Sequence, residues 1–506
     1  MLGRRPDPLR AANAFAIFAV SACGLIVEIT AGRMMAPYLG MSLYTWTAII
    51  AVVLAGFSAG HWFGGWVAER NTARAYLWLA ATMTLGAAST TASLWLVRLL
   101  SGPVLSLPMD RVAQISALTF AVFFLPSFCA GVPSPVLSKV AIDQAPHRAG
   151  RTLGLMFALS ALGAIAGTLL AGFLFISWIG TSGTILAIAA VYLTLAVLFF
   201  SLGAKALRAI AASLALLLAA ISGIAGLARI ASPCDVESDY YCIRVVDMTE
   251  DLGVEARLLV LDHLGHGINL RDQPSGLVSP YVEIIDLLAR AYLGENSDAS
   301  AYFIGGGAYT LPRAWASSGW TGEITVAEID PAVTAAAASS LWVDTSAFRI
   351  VHDDARAALS RQPAESLDVI VGDAFKDIAV PAHLMTREFA QLVERRLSSD
   401  GIYLMNLVDR GDRLTALFSM VTTLQQVFPV VEVWVDREQA AVSGRITFVI
   451  LAAQRPSSSD RLWSLSDPDR QYLRWPAHDL DAKVAAAEVP ILSDDFTPVD
   501  RLLNLQ

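Results

Sequence analysis

Ala301-Tyr302-Phe303-Ile304-Gly305-Gly306-Gly307-Ala308-Tyr309 decides how the second half of this 506-residue chain is read. A short apolar run entering three glycines reads as a buried strand and then a turn whose backbone can approach a ligand without a Cβ in the way. A helix is expected from near Leu311. Outward from there the same rhythm repeats. Ile324–Glu328, Phe348–Val351 and Leu367–Val371 read as further strands, followed by Gly401–Met405, Val430–Trp434 and Ile446–Leu451. Short strands alternating with helical stretches are the signature of parallel βαβ units. A Rossmann-like α/β domain of the methyltransferase type is therefore expected over 296–456. A small β-rich subdomain over 232–295 precedes it and a tail over 457–506 follows.

Sheets of this kind bind ligands at the carboxyl ends of their strands, beside the switch point. At those ends the sequence sets Gly305, Gly306 and Gly307, then Glu328 and Asp330, then Asp353 and Asp354, then Asp373. An acid ending the strand after a glycine turn, about 20 residues on, is placed to accept from ribose hydroxyls. Glu328 fits that role, Asp354 is placed to accept from an adenine amino group, and Asp373 would face the reacting end. Acids in register along one sheet edge point to an adenosyl nucleoside. His352, His383, His263 and His266 read as hydrogen-bonded loop residues, Ser457–Asp460 as a surface loop, and Ser493–Asp500 as a packed surface turn. No Cys/His spacing suits a metal, and none is expected.

The first half is of another kind. An apolar share of 55%, only 16% charged residues and a mean hydropathy of +0.53 exceed a soluble average. The excess lies between Ala11 and Ile230. Segments 12–38, 43–69, 75–100, 112–138, 152–177, 180–202 and 207–230 are each long enough to cross a bilayer of about 30 Å. An all-α transmembrane domain of about seven helices over 1–231 is therefore expected. Arg4, Arg5, Arg10, Arg70, Arg74, Lys139, Arg148, Arg151, Lys205 and Arg208 fall on the N-terminal side of the spans, which places the N-terminus in the cytoplasm. Seven spans then put the second half outside the cytoplasm, at the cell (inner) membrane. Glu28 and Arg33 are the notable charges at membrane depth, where they mark either a polar site or a structural pair. His61 and Pro133-Ser134-Pro135 pose the same question more weakly. Cys23 and Cys129 read as buried apolar residues, whereas a Cys234–Cys242 disulfide would require an oxidising compartment. A net charge of −9 without a basic cluster argues against a nucleic-acid partner.

These motifs resemble the spermidine synthase (polyamine aminopropyltransferase) family, and the whole chain resembles its membrane-fused branch. The resemblance rests on Gly305–Tyr309, Glu328-Ile329-Asp330-Pro331, Asp353-Asp354-Ala355, Gly372–Asp377 and Val380–Phe389. Glu237–Tyr241 and Leu261-Asp262 resemble that family's leading hairpin domain, and Tyr281-Val282-Glu283 its Tyr-x-Glu helix. The resemblance implies decarboxylated S-adenosylmethionine, or S-adenosylmethionine, as co-substrate, with no permanently bound cofactor. It implies nucleoside binding by Glu328 and Asp354, amine orientation and deprotonation by Asp373, and amine-site roles for Tyr281, Glu283 and Asp377. The family's Gly-Gly-Gly-Asp-Gly loop has its acid replaced here by Ala308, and the Gln of its Leu-Asp-Gly-x-x-Gln is absent from Leu261–His266. Three functions follow: aminopropyl transfer to an amine such as putrescine, methyl transfer to a membrane or exported substrate, or nucleoside binding by a transporter or sensor. The expected partners are the lipid bilayer, a small-molecule amine or other acceptor, and a second copy of the chain in a homodimer.

Overall fold

The structure, a computed structural model, describes residues 8–204, 232–294, 298–375, 380–439 and 444–503. The chain divides into two units, Met1–Asp239 and Tyr240–Gln506.

The first unit is helical: α1 (Pro8–Leu39), α2 (Leu43–Ala68), α3 (Thr72–Leu105), α4 (Arg111–Gly131), α5 (Pro133–Asp143), α6 (Ala149–Leu170) and α7 (Ile176–Gly203). Four helical stretches, Leu9–Leu39, Leu43–Ala68, Arg111–Asp143 and Pro146–Gly203, are long and apolar enough to cross a membrane. The third expected span corresponds to α3, which is not among those four. The fifth and sixth form the single stretch 146–203, broken where Gly180 takes φ +68°. The seventh, 207–230, lies outside the described residues. Glycines draw the helix backbones together: a Cβ on Gly60 would stand 2.2 Å from Phe128 O, and one on Gly163 2.2 Å from Phe18 O.

This unit runs past the expected boundary at 231 because 232–239 is fastened to the helices. The Glu237 carboxylate accepts from Thr181 N (2.7 Å) just after the Gly180 break, capping the renewed helix with a negative charge. Ser177 bonds to Asp239 (2.5 Å), and Arg33 donates to Ser238 O. Arg33 thus reaches a backbone carbonyl, while Glu28 lies half-buried on the same helix.

The second unit opens with an antiparallel meander, β1 (Cys242–Asp247), β2 (Ala256–Leu261) and β3 (Leu264–Leu270), followed by α8 (Pro280–Leu293). Then come β4 (Ala301–Ile304), α9 (Thr310–Ser317), β5 (Ile324–Ala327), α10 (Pro331–Ser340), β6 (Arg349–Val351), α11 (Ala355–Ser360) and β7 (Leu367–Gly372). After them follow α12 (Arg387–Arg396), β8 (Leu397–Arg410), α13 (Thr415–Gln425), β9 (Val430–Asp436), β10 (Arg445–Ala453), β11 (Arg461–Trp463), β12 (Gln471–Arg474) and α14 (Ala477–Ala487). The nine strands make one mixed sheet in the order β11-β12-β9-β10-β8-β7-β4-β5-β6. β6, β5, β4, β7 and β8 are mutually parallel, with Ile304 opposite both Ala327 and Gly372. The chain winds outward from β4 in both directions, so the switch point lies between β4 and β7. This is the Rossmann-like arrangement.

Residues 457–506, expected as a tail, supply two strands at the sheet edge and α14. Side chains bury on both faces of the sheet, Tyr302, Ile370 and Met405 on one and Phe303, Val371 and Leu404 on the other. The second face is anchored by Trp315, which stacks on Trp320 (4.4 Å), meets Phe303 edge-on and donates its indole N–H to Asp286 (2.6 Å). Cys234 and Cys242 are disulfide cysteines, whereas Cys23 and Cys129 are free and buried.

Candidate active site

The glycine turn leaves β4 with Gly305 at φ +94° and Gly307 at φ +50°, conformations that glycine adopts without a Cβ penalty. Close approach demands glycine as well. A Cβ on Gly305 would stand 2.6 Å from Asp373 O, and one on Gly306 would stand 2.6 Å from the Tyr309 ring. Tyr309 itself sits at φ +55° before α9, pinned by its hydroxyl at 2.7 Å from Thr334. Part of the glycine requirement is therefore internal, since the turn wraps an aromatic ring.

Glu328, at the end of β5, is 5% exposed. One carboxylate oxygen accepts from Gly306 N (2.8 Å) and Gly307 N (3.2 Å), and the other from Asp330 N (3.0 Å). Burial raises its pKa against the pull of these three donors. Glu328 thus shapes the turn that neighbours it. Asp330 caps α10 by accepting from Ala332 N (2.9 Å). Beyond β6, Asp353 accepts from Asp354 N and pairs with Arg361. Asp354 caps α11 through Ala357 N (2.9 Å), and its other oxygen meets His383 Nε2 at 2.7 Å. His352 Nδ1 lies 3.1 Å from Glu328 O.

Asp373 follows β7 at the switch point. Its Oδ1 accepts from Asn406 Nδ2 (2.7 Å), and the Tyr281 hydroxyl stands 3.4 Å from Oδ2. Burial lifts the Asp373 carboxyl to about 7, and the Tyr281 bond offsets only part of that rise. The same burial, reinforced by Asp373, pushes the Tyr281 phenol well above its ordinary range. A pocket here is lined by Tyr281, Gly305, Gly306, Ala308, Asp373 and His266, with Thr310 and apolar side chains completing the wall. Burial brings the His266 imidazole down to about 4, so it is neutral at physiological pH.

The structure therefore brings Gly305, Gly306, Asp373 and Tyr281 to one pocket, with Gly307 and Glu328 forming the adjoining turn. It places Glu283 elsewhere: buried, it accepts from Leu465 N (2.7 Å), Ser466 N, the Ser464 hydroxyl (2.8 Å) and the Tyr472 hydroxyl. Its bonding capacity is spent on holding the segment before β12. Asp377 lies outside the described residues. Two residues of the site were missed from sequence, Asn406, which bonds Asp373 without lining the pocket, and His266 on its wall. Asn406 was hidden in the apolar run of β8, where one amide among Leu404, Met405 and Leu407 was the available signal. Its Oδ1 is buried and meets no donor among the described residues. His266 was read as an ordinary loop histidine, and only strand pairing brings β3 beside the glycine turn.

Chemically, a carboxylate that titrates near neutrality beside a nucleoside-sized turn can accept a proton from an attacking nucleophile.

No family model matches the chain. The polyamine aminopropyltransferase of Vibrio vulnificus (strain CMCP6) is 35% identical over 106 residues, which is 20% of this chain and 36% of that protein. The match thus spans about a third of that relative's length. Among solved structures, a probable spermidine synthase from Corynebacterium glutamicum ATCC 13032 has a TM-score of 0.46 at 20% identity, covering 52% of this chain and 97% of that one. The spermidine synthase from Thermotoga maritima has 0.35 at 18%, covering 55% and 88%. Human methyltransferase-like protein 13 in complex with SAH has 0.30 at 20%, covering 44% and 99%. Over the matched stretch the chain is similar to a polyamine aminopropyltransferase.

Proposed function

We propose that the chain is a membrane-bound aminopropyltransferase of the spermidine synthase type. It moves an aminopropyl group from decarboxylated S-adenosylmethionine to an amine such as putrescine. The observation that carries this reading is Asp373, set at the switch point between Asn406 and Tyr281 with its carboxyl lifted to about 7. The neutral amine attacks the carbon next to sulfur. A C–N bond forms as the C–S bond breaks, the electron pair goes to sulfur, and methylthioadenosine leaves as a neutral thioether. The new ammonium gives its proton to Asp373. Glu328 and Asp354 hold the ribose and adenine in this reading, and Asn406 orients the base through its bond to Asp373 Oδ1.

One observation favours a second reading. Ala308 lines the pocket, and among the described residues Asp373 is the one carboxylate on its wall, so these residues offer a positively charged aminopropyl tail no second acid. The tail of S-adenosylmethionine carries a carboxylate beside its ammonium, so it has no net charge and calls less for such an acid. Purified full-length protein given decarboxylated S-adenosylmethionine and putrescine is expected to release methylthioadenosine. Release of S-adenosylhomocysteine from S-adenosylmethionine, with no methylthioadenosine, would replace the first reading with the second.

The helical unit is proposed to cross the cell membrane seven times, counting 207–230, with a cytoplasmic N-terminus and the catalytic unit outside. The disulfide state of Cys234 and Cys242 supports that side. A compartment-sensitive reporter at the C-terminus tests it, and a cytoplasmic signal would overturn the orientation.

A further inference from the structure

The loop after β6 presents Asp354, the carboxylate assigned above to the adenine edge, beside two cations of its own neighbourhood. Arg356 lies two residues on, at the start of α11, and Arg361 ends that helix. A guanidinium that reaches a carboxylate forms a strong charge-assisted pair with it. Neither does so here. Arg361 is paired with Asp353. Arg356 forms a two-pronged ion pair with Asp494, its Nη1 and Nη2 each 2.7 Å from one carboxylate oxygen, and its Nη1 also donates to His383 O (3.0 Å). Asp354 is left with the His383 imidazole at 2.7 Å and the Ala357 N–H of its cap.

Asp494 comes from the far end of the chain and is held firmly. Leu492 is fully buried, its N–H bonded to Thr423 (2.9 Å) and its carbonyl accepting from Arg387 N (2.9 Å). Ser493 and Phe496 close a tight turn through two backbone bonds, and Asp494 N donates to Glu388 (3.1 Å). The other carboxylates that act on Arg356 are Glu388 and Asp354. Without Asp494, the guanidinium would have these two left to choose between.

We propose that Asp494 is a positioning residue that holds Arg356 away from Asp354, keeping that carboxylate open to a nucleoside amino group. The inference rests on the nucleoside-binding reading given above. It differs from a merely structural role in what a second substitution does. If the Asp494–Arg356 pair only fastens the C-terminal turn, Asp494→Asn and Arg356→Gln break the same pair, and the double variant is no better than either. If Asp494 sequesters Arg356, losing Asp494 harms binding, losing Arg356 does not, and losing both restores it.

The test is calorimetric titration of the full-length protein in detergent with S-adenosylmethionine and, separately, methylthioadenosine. A thermal melt of each variant runs alongside. Asp494→Asn is expected to weaken binding about tenfold, the effect of one charge-assisted hydrogen bond lost at a half-exposed site. It should raise KM for the nucleoside while sparing kcat. Arg356→Gln and the double variant should bind within about twofold of the unaltered chain. Equal weakening in all three variants, or none in Asp494→Asn, would overturn the proposal. If the unaltered chain binds neither nucleoside, the underlying assignment of the site fails instead.

Discussion

Replacing Asp373 by Asn keeps the side-chain volume and the acceptor for Asn406 but removes the proton that titrates. Two consequences follow from one cause. The buried carboxyl titrates at about 7 rather than near its ordinary 3.8. Below pH 4 it is protonated in both the folded and the unfolded chain and makes no difference to stability. Between 4 and 7 the unfolded chain has released the proton while the folded chain still holds it, so stability falls as pH rises and is lowest above 7. At about 1.4 kcal/mol per pH unit, the interval from 3.8 to about 7 gives a ceiling of roughly 4 kcal/mol. Asp373 is partly open to solvent, and water takes a share of that cost, so about 2 kcal/mol is expected. Asp373→Asn should thus melt with the unaltered protein at pH 4 and above it at pH 8, followed by tryptophan fluorescence. Turnover should move the opposite way. In the unaltered protein kcat should climb with pH to a plateau above about 7, and Asp373→Asn should lose about 10²–10⁴-fold at the plateau. A melting difference independent of pH, or a variant keeping a tenth of its turnover, would refute the argument.

Glu283→Ala should cost about 2–4 kcal/mol, because buried donors around Ser464 and Tyr472 lose their acceptor, yet leave the amine KM unchanged in steady-state assays. Glu328→Gln should turn an amide N–H toward the Gly306 and Gly307 donors, loosening the turn and weakening nucleoside binding at least tenfold by calorimetry. Gly305→Ala should lower turnover together with stability, by about 1–3 kcal/mol in a denaturant melt, since its Cβ would push on the backbone that carries Asp373.

Much of the sheet was legible because its strands carry their signal locally. Ala301–Ile304 has the predicted limits, and Leu367–Gly372 is one residue longer than read. Strand-end acids were legible for the same reason: a parallel strand running into a loop fixes which end faces a ligand. What the carboxylates touch was not legible. Asp330 and Glu283 look alike in sequence to Glu328 and Asp373, but capping and long-range donors claim them, and those partners are set by folding. The edge strands β11 and β12 went unread because Arg461–Trp463 and Gln471–Arg474 are too short to show a period. In the helical unit, hydropathy marked the apolar helices and the turn residues Gly180–Gly183 marked the break, but its cover by Glu237 depends on residues 57 positions apart.

The helix that presents Tyr281 to the pocket also carries Glu283, whose acceptor bonds are completed by residues near position 470. During synthesis that carboxylate must wait, hydrated, while nearly two hundred residues emerge. That helix can therefore be fastened only after those residues have emerged, so this part of the fold closes late relative to its own place in the chain.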